Sequence, residues 1–315
     1  MIIALAIIVL GFVGLWIASD YLVSCARGLA QIWKLSHLFA GFFIMSVTGL
    51  PELAIALQSV FHARPSLSVG NIIGANFVNI SLSIGIPLLI FGPIMIQQEV
   101  FRKKVGLLMC TAGLMAAIFI KNTITPRFAS LLIICYPIVV ALLWLTSRNE
   151  RLINNRNHSL LSTETTLSLI IKFFIATIGL FISTRLIVTH SLLIVQKLST
   201  APIYFGTTIL AIGTSLPEIT LNIQAFRKGE YDLALGNAFG SILGVGTVVL
   251  GLLALTSSTS ITLTGIHHMA YFQAIAYGVL AIGMIRYRRL SKITGAILIS
   301  TYAAYIILEL WLRLV

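Results

Sequence analysis

A chain of 315 residues that is 58% hydrophobic and only 10% charged has too little polar surface for a water-soluble domain, where about 25% of residues are charged. The bilayer is therefore the expected solvent and partner. A net charge of +12 in a soluble protein would point to nucleic acid, but here the basic residues fall in short segments between apolar runs, so topology explains them and nucleic acid is not expected.

A membrane span takes about 20 residues. The apolar runs predict spans over 2–19, 37–61, 66–95, 105–121 and 128–147, then over 167–190, 202–226, 233–255, 266–285 and 293–312. The first run, "MIIALAIIVLGFVGLWIASD", has no basic lead, so a retained helix is expected rather than a cleaved signal. Between the two groups lies the polar stretch "SRNERLINNRNHSLLSTETT", which reads as a solvated linker. With the N-terminus outside, roughly fifteen Lys and Arg, among them Lys104, Arg148, Lys228 and Arg288, fall on the linker side, against about six on the other. This bias makes the linker of a multi-pass membrane protein cytoplasmic. Cys25, Cys110 and Cys135 are scattered, with no CxxC pattern, so neither a disulfide framework nor a zinc site is indicated.

The two groups of spans repeat one another. "TGLPE" at Thr48–Glu52 matches "TSLPE" at Thr214–Glu218, and "VGNIIGANFVN" at Val69–Asn79 matches "LGNAFGSILGV" at Leu235–Val245. One offset of 166 residues relates both pairs of segments, which is the signature of an internal duplication. Five spans per copy is an odd number, so the second copy enters from the opposite face. The expected fold is all-α: a polytopic membrane protein of about ten transmembrane helices in two inverted five-helix repeats. The domains are then 1–146, a cytoplasmic linker at 147–166, and 167–315.

Glu52 and Glu218 are the acidic residues placed deep within spans. A carboxylate at mid-membrane costs several kcal/mol and usually marks an ion path. Pro51 and Pro217 each push away the carbonyl four residues earlier, those of Val47 and Gly213, and such carbonyls are tolerated where they line a cavity. Asn71, Ala75 and Asn79 lie four residues apart on one helix face, as do Asn237, Ser241 and Val245. Gly70 with Gly74, and Gly236 with Gly240, form GxxxG pairs that read as helix packing. Two carboxylates with amide and carbonyl oxygens suit a hard cation such as Ca2+. No His or Cys joins them, which disfavours softer metals. A proton could also replace the metal, so proton coupling stays open. No HExxH or phosphate-cradling motif occurs, and neither an enzyme nor a bound cofactor is expected.

The "GTSLPE" and "GN..G(S/A)N" blocks resemble the alpha-repeats of the calcium/cation antiporter superfamily, and within it the prokaryotic sodium/calcium exchanger-type proteins. The lead-in "ASDYLVSCARGLAQIWKLSHLFAG" resembles that family as well. The resemblance implies an antiporter of the prokaryotic inner (plasma) membrane working by alternating access, with Glu52 and Glu218 binding Ca2+ and Na+ in turn. It implies that Thr48, Thr214, Met45 and Ala211 contribute backbone oxygens, Asn79 an amide, and Ser215 and Ser241 hydroxyls. This chain departs from the pattern at Val47, Gly49, Ala75 and Val245, where the last three lose side-chain oxygens. The expected function is exchange of Ca2+ for Na+ or H+. The alternative is an exchanger-like protein that binds ions or a partner without coupled transport. The sequence does not specify an oligomeric state.

Overall fold

The computed structural model describes residues 2–33, 35–36, 38–42, 49, 52–53, 56, 60, 65–96, 98–147, 165–195, 206–257, 261–263 and 265–314. Mostly apolar runs form four long helices among the described residues of the first half: α1 (Ile2–Ile32), α2 (Pro65–Phe91), α3 (Gln98–Lys121) and α4 (Pro126–Ser147). The second half begins with α5 (Thr166–Val195) and a π-helical turn at Gly206–Leu210. Two short helices follow, α6 (Ala211–Thr214) and α7 (Leu216–Arg227). Then α8 (Tyr231–Gly244) runs through a second π-helical turn at Val245–Val249 into α9 (Leu250–Thr256). Helices α10 (His267–Ala281), extended by a third such turn at Ile282–Arg286, and α11 (Lys292–Leu314) close the chain.

Among the described residues, eight helices are long and apolar enough to cross a membrane. The expected span at 37–61 lies mostly outside the described residues. The expected span at 202–226 is not one helix. It breaks at Ser215, whose φ of −87° and ψ of 4° leave the helical geometry, and Pro217 then sits in the first turn of α7, where its missing N–H costs nothing. The first helix also outruns its expected end at residue 19, because the charges beyond it are paired. Lys228 Nζ lies 2.9 Å from Asp20 Oδ1, and Arg27 Nε lies 2.9 Å from Glu230 Oε1. Lys104 pairs with Asp232 on the same side. Arg289 pairs with Met95 just before α3, and the Arg288 guanidinium lies over Phe101, one turn before Lys104, so these arginines and the ion pairs define one basic face of the molecule.

Helices α2 and α8–α9 are buried along most of their length and form the centre. The other spans turn wide apolar faces outward, with Leu10, Leu131, Phe174, Ile293 and Ile307 exposed. Such faces suit a lipid surround. Helices α1 and α5 pack antiparallel to each other, Gly11 against Ile187 and Gly28 against Leu169.

Inverted duplication is visible in the loops. Strand β1 (Ile94–Met95) pairs antiparallel with β4 (Arg289–Leu290), and β2 (Thr123–Ile124) pairs antiparallel with β3 (Ile261–Thr262). Each ladder joins one half of the chain to the other. Asn122 and Arg288, 166 residues apart, are the non-glycine residues with positive φ among the described residues, at 53° and 51°. Their carbonyls accept equivalent bonds, from Leu263 N–H at 2.9 Å and Ile96 N–H at 2.8 Å.

Candidate functional site

Glu218 occupies the first turn of α7, where the helix dipole favours a negative charge. The break before it is closed by backbone: Ser215 N–H donates to the Ala211 carbonyl at 3.1 Å. The Gly213 carbonyl, expected to be freed by Pro217, instead accepts an N–H of this cap. In the other half Glu52 is helical, and the carbonyl of Gly49 accepts Leu53 N–H at 3.2 Å.

Both glutamates are fully buried and close enough to interact electrostatically. The Thr214 hydroxyl lies beside Glu52 but directs its proton to Asn71 Oδ1 at 3.1 Å and the Ala211 carbonyl at 3.4 Å. Neither carboxylate oxygen of Glu52 accepts a hydrogen bond from the described residues. None of their ion pairs includes Glu52. Asn79 Nδ2 donates to Ser241 Oγ across the repeats at 2.9 Å, which leaves Asn79 Oδ1 buried with no partner among the described residues. Ser215 Oγ is in the same condition. Thr214, Ser215, Ser241, Asn79 and the two glutamates are thus all buried on the helices that meet at the centre. Thr48 and Met45 lie outside the described residues. The Ala211 carbonyl already takes two donors, so it reaches a cation only by giving one up.

The helices reach this depth at backbone contact. A Cβ on Gly74 would stand 2.6 Å from the Thr207 carbonyl and 2.7 Å from Ala211 Cβ. On the other side Gly236 meets the backbone of Leu38, and Gly41 meets that of Leu233. Glycine is needed there for close approach, in keeping with the packing role read from the sequence at Gly74 and Gly236.

The departures at Ala75 and Val245 are structurally related. The repeat offset carries Asn79 to Val245 and Ser241 to Ala75. The hydrogen-bonded pair on one flank of the glutamates therefore has an apolar pair as its mate on the other, and both Ala75 and Val245 are fully buried.

A second polar group was not singled out from the sequence. Asn222 Nδ2 donates to Ser83 Oγ at 2.7 Å and to the Ser83 carbonyl at 3.1 Å, while Asn237 Nδ2 donates to Asn222 Oδ1 at 3.0 Å. The available signal was spacing: Asn222 follows Glu218, and Ser83 follows Asn79, by one helical turn.

Chemically, the centre is a set of buried oxygens carrying two carboxylates. Burying a carboxylate without a compensating charge costs several kcal/mol. A bound cation or a proton would offset that cost, and oxygen donors select hard cations.

A family model described as "Sodium/calcium exchanger protein" matches residues 3–145 and 168–311. The "Putative antiporter CaxA" of Alkalimonas amylolytica is 25% identical, with 97% of this chain and 98% of that protein covered. The "Inner membrane protein YrbG" of Escherichia coli (strain K12) is 27% identical, with 81% of this chain and 80% of that protein covered. Among solved structures, the sodium-calcium exchanger NCX_Mj soaked with Na+ and Sr2+ superposes with a TM-score of 0.80, at 20% identity, with 97% of this chain and 98% of that chain covered. That likeness is one of fold.

Proposed function

This chain belongs to the sodium/calcium exchanger protein family, an integral membrane transporter family, and from that premise we propose that it exchanges Ca2+ for Na+ or H+ by alternating access, with the cation held between Glu52 and Glu218. The observation that carries this reading is the fully buried Glu52 beside Glu218, its oxygens unengaged by the described residues. A second glutamate, the Asn79 amide and the Ser215 and Ser241 hydroxyls surround the place where a cation would compensate it. Backbone oxygens of Met45, Thr48, Ala211 and Thr214 complete the proposed ligand set. The repeats are taken as 1–146 and 167–315 around a linker at 147–166, with the basic face cytoplasmic and the N-terminus outside.

The test is 45Ca2+ uptake into vesicles reconstituted with the full chain, driven by an imposed Na+ or H+ gradient. Glu52→Gln and Glu218→Gln are each expected to lower uptake by at least about a hundredfold, since each removes a ligand and a charge at once. Unchanged uptake in both variants defeats the proposal.

The buried apolar pair Ala75 and Val245 favours one alternative, a protein that binds cations without coupled transport. Wild-type flux that follows the imposed gradient eliminates it. Flux indifferent to both gradients, with Ca2+ binding retained, establishes it.

A further inference from the structure

The polar group at Asn222, Ser83 and Asn237 repeats the geometry of the glutamate centre one helical turn away. Asn222 lies four residues beyond Glu218 on α7, Ser83 four beyond Asn79 on α2, and Asn237 four before Ser241 on α8. Helices α7 and α2 run towards the basic face and α8 runs away from it, ending and beginning at the contacts described above. All three displacements therefore point towards the basic face. The three side chains are fully buried and bonded to one another across both repeats. Asn237 Oδ1 is also buried, with no partner among the described residues.

The repeat offset gives each member a mate on the opposite side of the glutamates. Asn222 corresponds to Ala56, Ser83 to Val249 and Asn237 to Asn71. Ala56 and Val249 are buried and apolar, and Asn71 accepts the Thr214 hydroxyl. Duplication alone would give a symmetric path. Instead, all three residues towards the basic face carry side-chain oxygens, whereas of their three mates only Asn71 does, and Ala56 and Val249 offer methyl groups.

We propose that Asn222, Ser83 and Asn237 form a second station of the cation path, between the glutamates and the basic face, while Ala56 and Val249 seal the opposite side. This inference rests on the exchange reading above. The station offers amide, hydroxyl and carbonyl oxygens and no charge. It therefore suits brief replacement of water around a cation in transit rather than retention of the ion. An uncharged side chain here governs how fast a cation passes, and the glutamates govern how tightly it is held.

Vesicle exchange of 45Ca2+ and equilibrium 45Ca2+ binding to the purified full chain separate these quantities. Asn222→Leu is expected to lower exchange turnover by about tenfold or more while the half-saturating Ca2+ and the equilibrium binding stay within about twofold. Asn222→Ser, which restores an oxygen, is expected to recover most of the rate. Ser83→Ala, which keeps the carbonyl, is expected to slow exchange by about two- to fivefold, and it carries the test with Asn222→Ser should Asn222→Leu fail to fold. Wild-type turnover in folded Asn222→Leu and Ser83→Ala overturns the inference. So does weakened Ca2+ binding in step with the lost rate, which would place these residues in the central site instead. Absence of gradient-driven flux in the wild type overturns the exchange reading and this inference together, whereas wild-type flux with an indifferent Asn222 overturns the inference alone.

Discussion

Gly74 shows how tightly single residues constrain the centre. Its neighbours are the carbonyl and Cα of Thr207 and the Cβ of Ala211, so most of the contact is backbone that cannot rotate away. Gly74→Ala is expected to lower stability by about 1–3 kcal/mol, as overpacking does, read as a lower melting temperature of the detergent-solubilised protein. Glu52 and Glu218 were legible in the sequence because acidic residues are costly in apolar spans and these two recur at one offset. Asn222 was not, because "LNIQAFRK" reads as the polar end of a span. Only the packing of α7 against α2 and α8 shows that its amide is buried and bonded. The mutual relation of Ala75 and Val245 was equally hidden, since it rests on the bond between their repeat mates, Ser241 and Asn79.

At the scale of elements, the break between α6 and α7 went unread as a break in the backbone. Pro217 marked the place, but apolar periodicity runs through Ser215 without change. The turns that carry β2 and β4 were silent too. Asn122 and Arg288 adopt the left-handed conformation, and Arg288 is held there with its guanidinium 3.7 Å above the Phe101 ring, a cation–π contact. Asn tolerates that conformation and a β-branched residue does not. Asn122→Val is therefore expected to lower stability by about 1–2 kcal/mol, and Asn122→Gly to be neutral or slightly stabilising, both measured by thermal unfolding. The extension of α1 past residue 19 follows from the pairing of Asp20 and Arg27, whose partners lie about 200 residues away, a distance over which no local pattern reports.

For the whole molecule, the inverted repeat was the most legible feature. It needed only an odd span count and one constant offset, and the paired ladders with their matching turns display it directly. Orientation is testable at this scale. In a background with Cys25, Cys110 and Cys135 replaced by Ala, Tyr287→Cys on the basic face is expected to react with an impermeant maleimide only from the cytoplasmic side. Thr262→Cys on the opposite face is expected to react only from outside. The reverse pattern would invert the assignment.

The bonds that cross between repeats also bear on how the protein is made. Asn79 finds Ser241 162 residues downstream, and Asn71 finds Thr214 143 residues downstream. At translation speeds of about 5–20 residues per second, the first of these partners emerges roughly 8–32 s later. For that interval the first half resides in the bilayer with its amides and Glu52 lacking their cross-repeat neighbours. Biogenesis must therefore shelter a half-made centre, and the nascent chain is most exposed to quality-control proteases before α8 is threaded.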